Sequence, residues 1–515
     1  MALTLARAAG FALMAVGGGG LAGALVTGAA GRFGGLGPPA EALGWWALAA
    51  LATPALVLLV LLAMRPSVAL PVLVFLLPLV PERAHVDLGV AITVDRVLAL
   101  ILGAGLLAAA IRRPHLRFDR ATLAMMALFG LYCGWLVALL PATAHPLEAL
   151  FHPLYRTALW AILFGAGWYT STGDASSRTA RQMAVGLCMA CAILVGLGGL
   201  EVAADQYWLS WPDEHRRDGV LRAMVFLGNP LVFGVTVSAA SLASAGLAVS
   251  ARRRCERRWT GWAALALGTA TAVLLASGST FAQARSSALG FLVAGAVFAT
   301  GVWWWPARSS AARESPHSAA ARAGAGLAAI ALTLVAVTAV AAFVTVPEQL
   351  FDRWAAANVS HRISMFWISG RLLAEHPIGG VGLSAFADAA RAVPTFRAPF
   401  SPFQGAFLTA DNAVLQIAVE AGLPAAGLLM LLVTAPLWRI ISALRQRGET
   451  EGAAEWADRG LLAGLSGLLV TLFVASQMFD LYGWLVPGAL YFAFSGAAWA
   501  IAGRLRQGPE AGRPS

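Results

Sequence analysis

The sequence predicts an all-α polytopic membrane protein with about 12–14 transmembrane helices. Two observations carry this prediction. Hydrophobic residues make up 59% of the 515 residues and charged residues only 12%, whereas soluble chains carry about 25% charge. The apolar residues also come in blocks of about 17–25, which as helices cross about 30 Å of hydrocarbon. Inside a bilayer, such blocks satisfy their backbone groups only as helices.

The apolar blocks define the domain organisation. In chain order they predict spans near residues 8–30, 42–64, 66–81, 96–111, 121–141, 156–172, 183–203, 228–249, 260–278, 286–306, 323–346, 412–437, 461–479 and 484–503. The first block is interpreted as an uncleaved helix, because it is long and further spans follow. We therefore treat residues 1–515 as a single membrane domain, with residues 347–411 as a long loop inserted between spans.

Arginine placement predicts the orientation. The formal net charge is +10, and Arg is the only residue in the Lys+Arg total of 36. These arginines lie in short loops between apolar blocks, a pattern of membrane orientation that excludes a nucleic-acid partner. By the positive-inside rule, 23 of the 36 fall in segments predicted to be cytoplasmic, together with both termini. The loop 347–411 is then periplasmic, in a bacterial inner membrane, and its arginines need an anionic partner.

Two arginines outside that loop are candidate anion contacts. Arg285 stands in the short connection between two apolar blocks, in GSTFAQARSSALGFLVAG. It fits an interfacial anchor that snorkels to the surface, or a contact to pyrophosphate, since a guanidinium is always charged and binds two oxygens at once. Arg222, in RAMVFLGNP before a predicted span, allows the same two interpretations.

The loop itself holds a predicted amphipathic helix. Arg362, Phe366, Ile368 or Ser369, and Leu373 recur at helical spacing, and Pro377 with Gly379-Gly380 ends the pattern. We expect this helix to lie along the membrane face and to present Arg362 and Arg371. Each arginine is either a solvated surface charge or a ligand contact.

Polar residues cluster where the chain re-enters apolar sequence. Asp411 and Asn412 stand at the mouth of the next span, where a carboxylate is either a helix cap or a general base for an acceptor hydroxyl. Gln416 follows on about the same face, and Glu420 is predicted two turns inside the span. An ionisable residue at that depth is a functional candidate or pairs with an Arg.

No cofactor or metal is predicted. The eight histidines do not show metal-ligand spacing, and the Cys188–Cys191 pair lies inside an apolar block without further ligands. The sequence contains no P-loop, no dinucleotide-binding glycine motif and no Ser-His-Asp arrangement. The absence of a D-x-D near the start of an outer loop favours a metal-independent mechanism.

The order of these motifs resembles the O-antigen ligase and Wzy-type O-antigen polymerase family of bacterial inner-membrane proteins. Four stretches carry the resemblance, and the last two are the specific ones: RAMVFLGNP, the T-x-x-x-A-R-S-S-A stretch around Arg285, RISMFWISGRLLAEHPIGGVGLSAF, and DNAVLQIAVEAGLPAAG. The resemblance implies a GT-C-like helical fold. It also implies metal-independent transfer of an undecaprenyl-diphosphate-linked glycan to a periplasmic acceptor, either lipid A–core (ligase) or another lipid-linked repeat unit (polymerase).

By motif position, the resemblance implies that Arg285 and Arg362 hold the diphosphate and that Asp411 activates the acceptor. Arg222, Arg371, Asn412, Gln416 and Glu420 are the candidate substrate-binding residues. The family's motif has His-Asn where this chain has Asp411-Asn412, and its later Gly-x-x-Gly reads Gly422-Leu-Pro-Ala425 here. These departures favour a polymerase, a divergent exopolysaccharide enzyme or an altered acceptor.

Two other classes remain open. A lipid-linked glycan flippase needs polar residues along a cavity through the bilayer, whereas the predicted spans here are almost free of charge and the polar residues cluster on one face. A non-enzymatic polysaccharide assembly protein needs no reactive groups. The one-sided cluster favours chemistry on one face of the membrane over transport, and the assembly protein remains an alternative.

Overall fold

A computed structural model of the chain describes residues 65–79, 85–87, 91–93, 118–144, 146–149, 153–172, 176–205, 216–217, 220–221, 225–227, 229–254, 266–275, 290–296, 356–393, 409–445, 453–477 and 484–507, with single positions at 103, 105, 223, 263 and 298.

Helices dominate these residues. The longer ones are α1 (Pro66–Leu76), α2 (Arg120–Leu139), α3 (Tyr155–Thr170), α4 (Ser176–Ala204), α5 (Pro230–Arg254), α6 (Ala356–Glu375), α7 (Phe386–Ala392), α8 (Ala413–Arg445), α9 (Ala453–Ser476) and α10 (Leu485–Gln507). Shorter helical pieces are Leu77–Leu79, Leu140–Ala142, Pro146–Ala149, Val225–Leu227, Ala266–Leu275 and 290–296. Two small antiparallel hairpins pair His85–Asp87 with Ala91–Thr93 and Arg216–Arg217 with Val220–Leu221.

Six helices are long and apolar enough to cross a bilayer, so the protein is an all-α polytopic membrane protein, as predicted. They are Arg120–Ala142, Ser177–Ala204, Pro230–Arg252, Ala413–Arg445, Ala457–Ser476 and Leu485–Arg506. Each coincides with a predicted span. The spans predicted near 66–81, 156–172 and 260–278 fall on shorter helices. Those near 8–30, 42–64 and 323–346, and most of 96–111 and 286–306, lie outside the described residues.

Helix α8 differs from its prediction near 412–437 because it continues to Arg445 and is broken at Gly422, where φ is 84° and ψ is 170°. The part after the break, residues 423–445, is about 34 Å long at 1.5 Å per residue, which is enough to cross the hydrocarbon alone. Glu420 was predicted two turns inside the span. It lies two turns after the start of the span Ala413–Arg445, on the segment before the break.

Small residues allow the central helices to pack closely. A Cβ on Gly246 of α5 would lie 2.5 Å from the Cα of Gly464 in α9. A Cβ on Gly496 of α10 would collide with the Phe164 carbonyl of α3. Membrane helices depend on such close backbone contact, because lipid supplies little hydrophobic drive for association. This packing buries most of α5, α9 and α10, whereas α2 has a largely exposed surface.

The antiparallel helices bring different residues to the two ends of the bundle. At the first, the loop end, Thr143 contacts Leu383 and Asn412 contacts Gln477. At the opposite end, the arginine end, Asp119 pairs with Arg439, and Arg504 reaches Ser171 and Asp458. The loop end carries the candidate site.

Candidate functional site

Helix α6 forms the described start of the loop 347–411. The helix ends at Glu375, and His376 N–H still donates to Leu372 O (2.9 Å) before Pro377 prevents continuation. The predicted helix and its end are therefore confirmed. Its packed stripe is Met365, Ile368 and Leu372. Ile368 is buried as predicted, whereas Met365 and Leu372 take the places predicted for Phe366 and Leu373.

The packed stripe of α6 contacts the start of α8. Met365, Ile368 and Leu372 share one apolar cluster with Ala410 and Val419. Phe366, which was predicted on the apolar face, is 45% exposed and Trp367 beside it is 52% exposed. The periodicity therefore predicted the helix correctly, but its buried face is set by packing against the start of α8 and against Phe386, Ala390 and Val393.

The turn after α6 crosses the break in α8 like a short pair of strands. Val381 N–H donates to Val419 O (2.8 Å) and Gly382 N–H donates to Glu420 O (3.1 Å). In return Leu423 N–H donates to Pro377 O (2.9 Å). In an unbroken helix Val419 O would take the Leu423 N–H, and Glu420 O would find no donor at Pro424. The turn thus supplies donors to two carbonyls that α8 itself does not satisfy.

Two glycines make this crossing possible. Gly380 has φ +70° and Gly422 has φ +84°, conformations that side chains with a Cβ rarely adopt. A Cβ on Gly380 would collide with the Glu420 carbonyl group, and one on Gly422 would collide with the Ile378 carbonyl oxygen. The sequences HPIGGVG and EAGLP therefore form one unit, in which each glycine admits the backbone of the other segment.

Distant elements complete the crossing. Trp135 of α2 donates its indole Nε1–H to Ala421 O (2.9 Å), satisfying the next carbonyl of the broken helix. Thr143 Oγ1–H, just beyond α2, donates to Leu383 O (2.8 Å). Sequence reasoning missed both residues, since a lone Trp or Thr near a helix end carries no signal of its partner.

Asn412 caps α8 and ties it to α9. Its Oδ1 accepts from Leu415 N–H (2.9 Å), the ordinary N-cap bond. Its Nδ2 donates to Gln477 O at the end of α9 (3.0 Å), and the two side-chain amides lie 3.4 Å apart. The cap at this helix start is thus Asn412. Gln477 was not among the predicted site residues.

A series of side-chain hydrogen bonds connects the segment before the helix break to the turn that precedes α8. Gln416 Nε2–H donates to Glu420 Oε1 (2.8 Å), and Gln416 Oε1 accepts from Ala410 N–H (2.7 Å). Glu420 is buried, with 8% of its surface exposed, and Ala410 is fully buried. The structure therefore brings together Asn412, Gln416 and Glu420, as the sequence predicted.

Asp411 lies between Ala410 and Asn412, both of which are held by hydrogen bonds. It is partly buried and has φ +53°, in the left-handed region. Among residues with a Cβ, Asn, Asp and His are several-fold enriched in this conformation. A His at this position, as in the resembling family, is compatible with the same turn.

The candidate arginines are described to different degrees. Arg371 is exposed and forms an i,i+4 ion pair with Glu375 (3.0 Å), with its guanidinium 6.0 Å from the Trp367 ring. The backbone of Arg362 lies in α6, one turn before Met365. Arg222 and Arg285 lie outside the described residues. In the part of the chain that the structure describes, no group of three His, Cys, Asp or Glu residues could hold a metal ion.

Residues 270–431 match the model of the O-antigen ligase family. The matched segment covers 162 of the 515 residues and contains α6, the two crossing glycines, Asp411 and Glu420. No curated protein matches the chain.

Proposed function

We propose that this chain, a multi-pass membrane protein of the O-antigen ligase family, is a glycosyltransferase that uses an undecaprenyl-diphosphate-linked glycan as its donor. The acceptor lies on the periplasmic side of the bacterial inner membrane and is either lipid A–core or another lipid-linked repeat unit. The termini are cytoplasmic. Transfer is a single inverting displacement and needs no metal.

One observation carries the proposal. The segment matched to the O-antigen ligase family folds back on itself at Gly380 and Gly422, and this crossing sets the start of α8 with Asp411 at the loop end. A carboxylate at a membrane surface is well placed for an acceptor that arrives within or at the bilayer. The described polar residues of the site lie together at this end of the bundle, which supports chemistry on one face of the membrane.

In the proposed mechanism Arg285 and Arg362 bind the diphosphate. Negative charge grows on this leaving group as the anomeric C–O bond breaks, so fixed guanidinium groups stabilise the transition state more than the ground state. Arg222 and Arg371 are proposed as further anion contacts. Arg371 already has a carboxylate neighbour in Glu375, so its part is expected to be smaller.

Asp411 is proposed as the general base. It takes the proton of the acceptor hydroxyl while that oxygen attacks the anomeric carbon and undecaprenyl diphosphate leaves. General base catalysis of this kind contributes about 10²–10⁴-fold to a rate. Because Asp replaces the family's His here, a lipid-linked repeat unit or another altered acceptor is favoured over lipid A–core.

The proposal is tested with purified protein in detergent and an undecaprenyl-diphosphate-linked glycan. We expect undecaprenyl diphosphate to be released only after an acceptor is added, with lipid A–core and a second lipid-linked repeat unit supplied in separate arms. The anomeric configuration of the product tests inversion, and activity in EDTA tests the metal requirement. A flippase or an assembly protein would release no undecaprenyl diphosphate in any arm.

Variants test the residues in a complementation assay. Arg285→Ala and Asp411→Ala should each abolish glycan transfer without loss of membrane-inserted protein. Arg391→Ala and Asp388→Asn are matched controls, because these residues form an exposed ion pair with each other on α7, in the same loop. Wild-type glycan with both Arg285→Ala and Asp411→Ala would overturn the site assignment.

A further inference from the structure

The Glu420 carboxylate is buried close to the break of α8 and accepts a hydrogen bond from the neutral amide of Gln416. Its own carbonyl is held by Gly382 N–H (3.1 Å), and its Oε1 accepts from Gln416 Nε2 (2.8 Å). The turn around Gly382 therefore fixes the backbone of Glu420. The Glu420 side chain in turn fixes the side chain of Gln416, one helical turn earlier in α8.

Gln416 has only one orientation that satisfies both neighbours. Ala410 N–H is a donor, so the Gln416 oxygen must face it, at 2.7 Å. The amide nitrogen must then face Glu420, whose carboxylate accepts. A reversed amide would set two donors against each other at Ala410, so the carboxylate of Glu420 selects the orientation that holds Ala410.

Ala410 is the residue before Asp411, and Asn412 is the residue after it. Asn412 is held on two sides, by Leu415 N–H (2.9 Å) and by Gln477 O (3.0 Å). Both neighbours of Asp411 are thus anchored, while Asp411 itself has φ +53°. A left-handed conformation in a residue with a Cβ persists when the surroundings over-determine it.

We propose that Gln416 and Glu420 are positioning residues that hold the 410–412 turn and thereby aim the Asp411 carboxylate at the acceptor hydroxyl. This inference rests on the proposed role of Asp411 as general base. It replaces the prediction that Gln416 and Glu420 bind substrate: the carboxylate of Glu420 acts through the Gln416 amide. The family match gives no role to either side chain.

An exchange of the two side chains separates positioning from substrate contact. In Gln416→Glu/Glu420→Gln, the carboxylate at 416 accepts from Ala410 N–H and also from the new amide at 420. The hydrogen-bond chain is preserved while the negative charge moves one helical turn, about 6 Å. In Gln416→Glu alone, two carboxylates face each other and the chain is broken.

The readout is kcat and the donor KM of purified protein, measured at equal amounts of folded protein. The unfolding temperature of each variant is measured alongside, to show that it is unchanged. Gln416→Glu should lower kcat by about 100-fold, the usual effect of misplacing a reacting group, with little change in donor KM. The exchange variant should recover kcat to within about tenfold of wild type. Glu420→Gln alone keeps an acceptor for Gln416 and should lose less than Gln416→Glu.

Failure of recovery in the exchange variant, or a Glu420→Gln loss as large as that of Gln416→Glu, would show that the carboxylate at 420 contacts substrate and would overturn the inference. Wild-type kcat in Gln416→Glu would overturn it as well. Asp411→Asn is measured in parallel. If Asp411→Asn is active, the proposed function of Asp411 fails. If Asp411→Asn is inactive and the exchange variant does not recover kcat, only the positioning role of Gln416 and Glu420 fails.

Discussion

The two ends of the bundle use polar side chains differently. At the arginine end, charges neutralise charges: Arg439 Nη2 lies 2.5 Å from Asp119 Oδ2, and Asp458 accepts from Arg504 at 3.3 Å. At the loop end, uncharged side chains such as Asn412, Gln416 and Trp135 hold backbone groups. The first arrangement fixes helices to one another, while the second fixes the conformation of a turn.

The difference has a physical reason. An arginine that is buried at a helix end must be paired, because an isolated buried charge is costly. Arg439 meets this need twice, with Asp119 and with the Trp499 ring 4.4 Å from its guanidinium. A turn needs directed hydrogen bonds, which amides supply without charge. We therefore expect substitutions of the polar side chains to change mainly stability at the arginine end and mainly catalysis at the loop end.

The largest effect is expected at the crossing. Gly422→Ala places a Cβ against the Ile378 carbonyl oxygen and forces Ala to φ +84°. Since the clash involves backbone on both sides, we expect loss of glycan transfer and a lower unfolding temperature. Gly427→Ala is the matched control, because a Cβ there meets nothing within 4 Å and lies on the same helix. Equal behaviour of the two variants would contradict the crossing.

The next largest effect is expected at the arginine end. Arg439→Leu removes the buried partner of Asp119 and should cost about 1–3 kcal/mol, less than a fully buried pair because Asp119 is partly exposed. The unfolding temperature in detergent measures this loss. The kcat of the remaining folded protein should be unchanged. A fall in kcat at constant folded protein would show that the two ends are coupled and would break the comparison.

The same ion pair predicts a pH dependence of stability. Burial alone raises the pKa of Asp119, but hydrogen bonds from Thr122 and Arg439 outweigh it, so the folded pKa is below its usual value. A lowered folded pKa gives stability that is present above the unfolded pKa of about 3.9 and is lost as the pH falls below it. Between about pH 5 and pH 3, the unfolding temperature of wild type should therefore fall more steeply than that of Asp119→Asn. Parallel curves would contradict this assignment.

The smallest effect is expected for Arg371. Its ion pair with Glu375 is exposed and of the i,i+4 type, so Arg371→Ala should change stability by less than about 0.5 kcal/mol. If Arg371 also contacts the donor diphosphate, as proposed, the donor KM rises several-fold. Arg391→Ala, which breaks a similar exposed pair with Asp388, is the control and should leave KM unchanged. The same KM in both variants would make Arg371 a surface charge only.

Hydropathy predicted the spans well where a helix is apolar throughout. The span predicted near 121–141 became Arg120–Ala142, and that near 484–503 became Leu485–Arg506. Hydropathy did not predict the end of a helix that carries a buried, paired charge. Helix α8 runs past its predicted end at residue 437 because Arg439 is buried against Asp119, a partner 320 residues away.

The candidate site was predictable in part for a similar reason. Asn412, Gln416 and Glu420 recur at helical spacing, so their common face could be inferred from the sequence. The longer contacts of this region were not predictable: Trp135 binds the Ala421 carbonyl 286 residues away, and Gln477 binds Asn412 65 residues away. No local pattern shows such contacts. The break at Gly422 was missed because the N–H groups that satisfy the Val419 and Glu420 carbonyls come from the turn after α6, about 40 residues earlier in the chain.

The central claim is that Asp411 is the base at the loop end, and its replacement by His tests this most directly. His tolerates the left-handed turn and accepts a proton, but an imidazole loses its proton at higher pH than a carboxyl group does. We predict that kcat in Asp411→Asn falls by at least about 100-fold, with Asp388→Asn unchanged as control. Asp411→His should keep activity, with the acid limb of its pH–rate profile at higher pH than in wild type. Wild-type kcat in Asp411→Asn, or an unshifted acid limb in an active Asp411→His, would contradict the account.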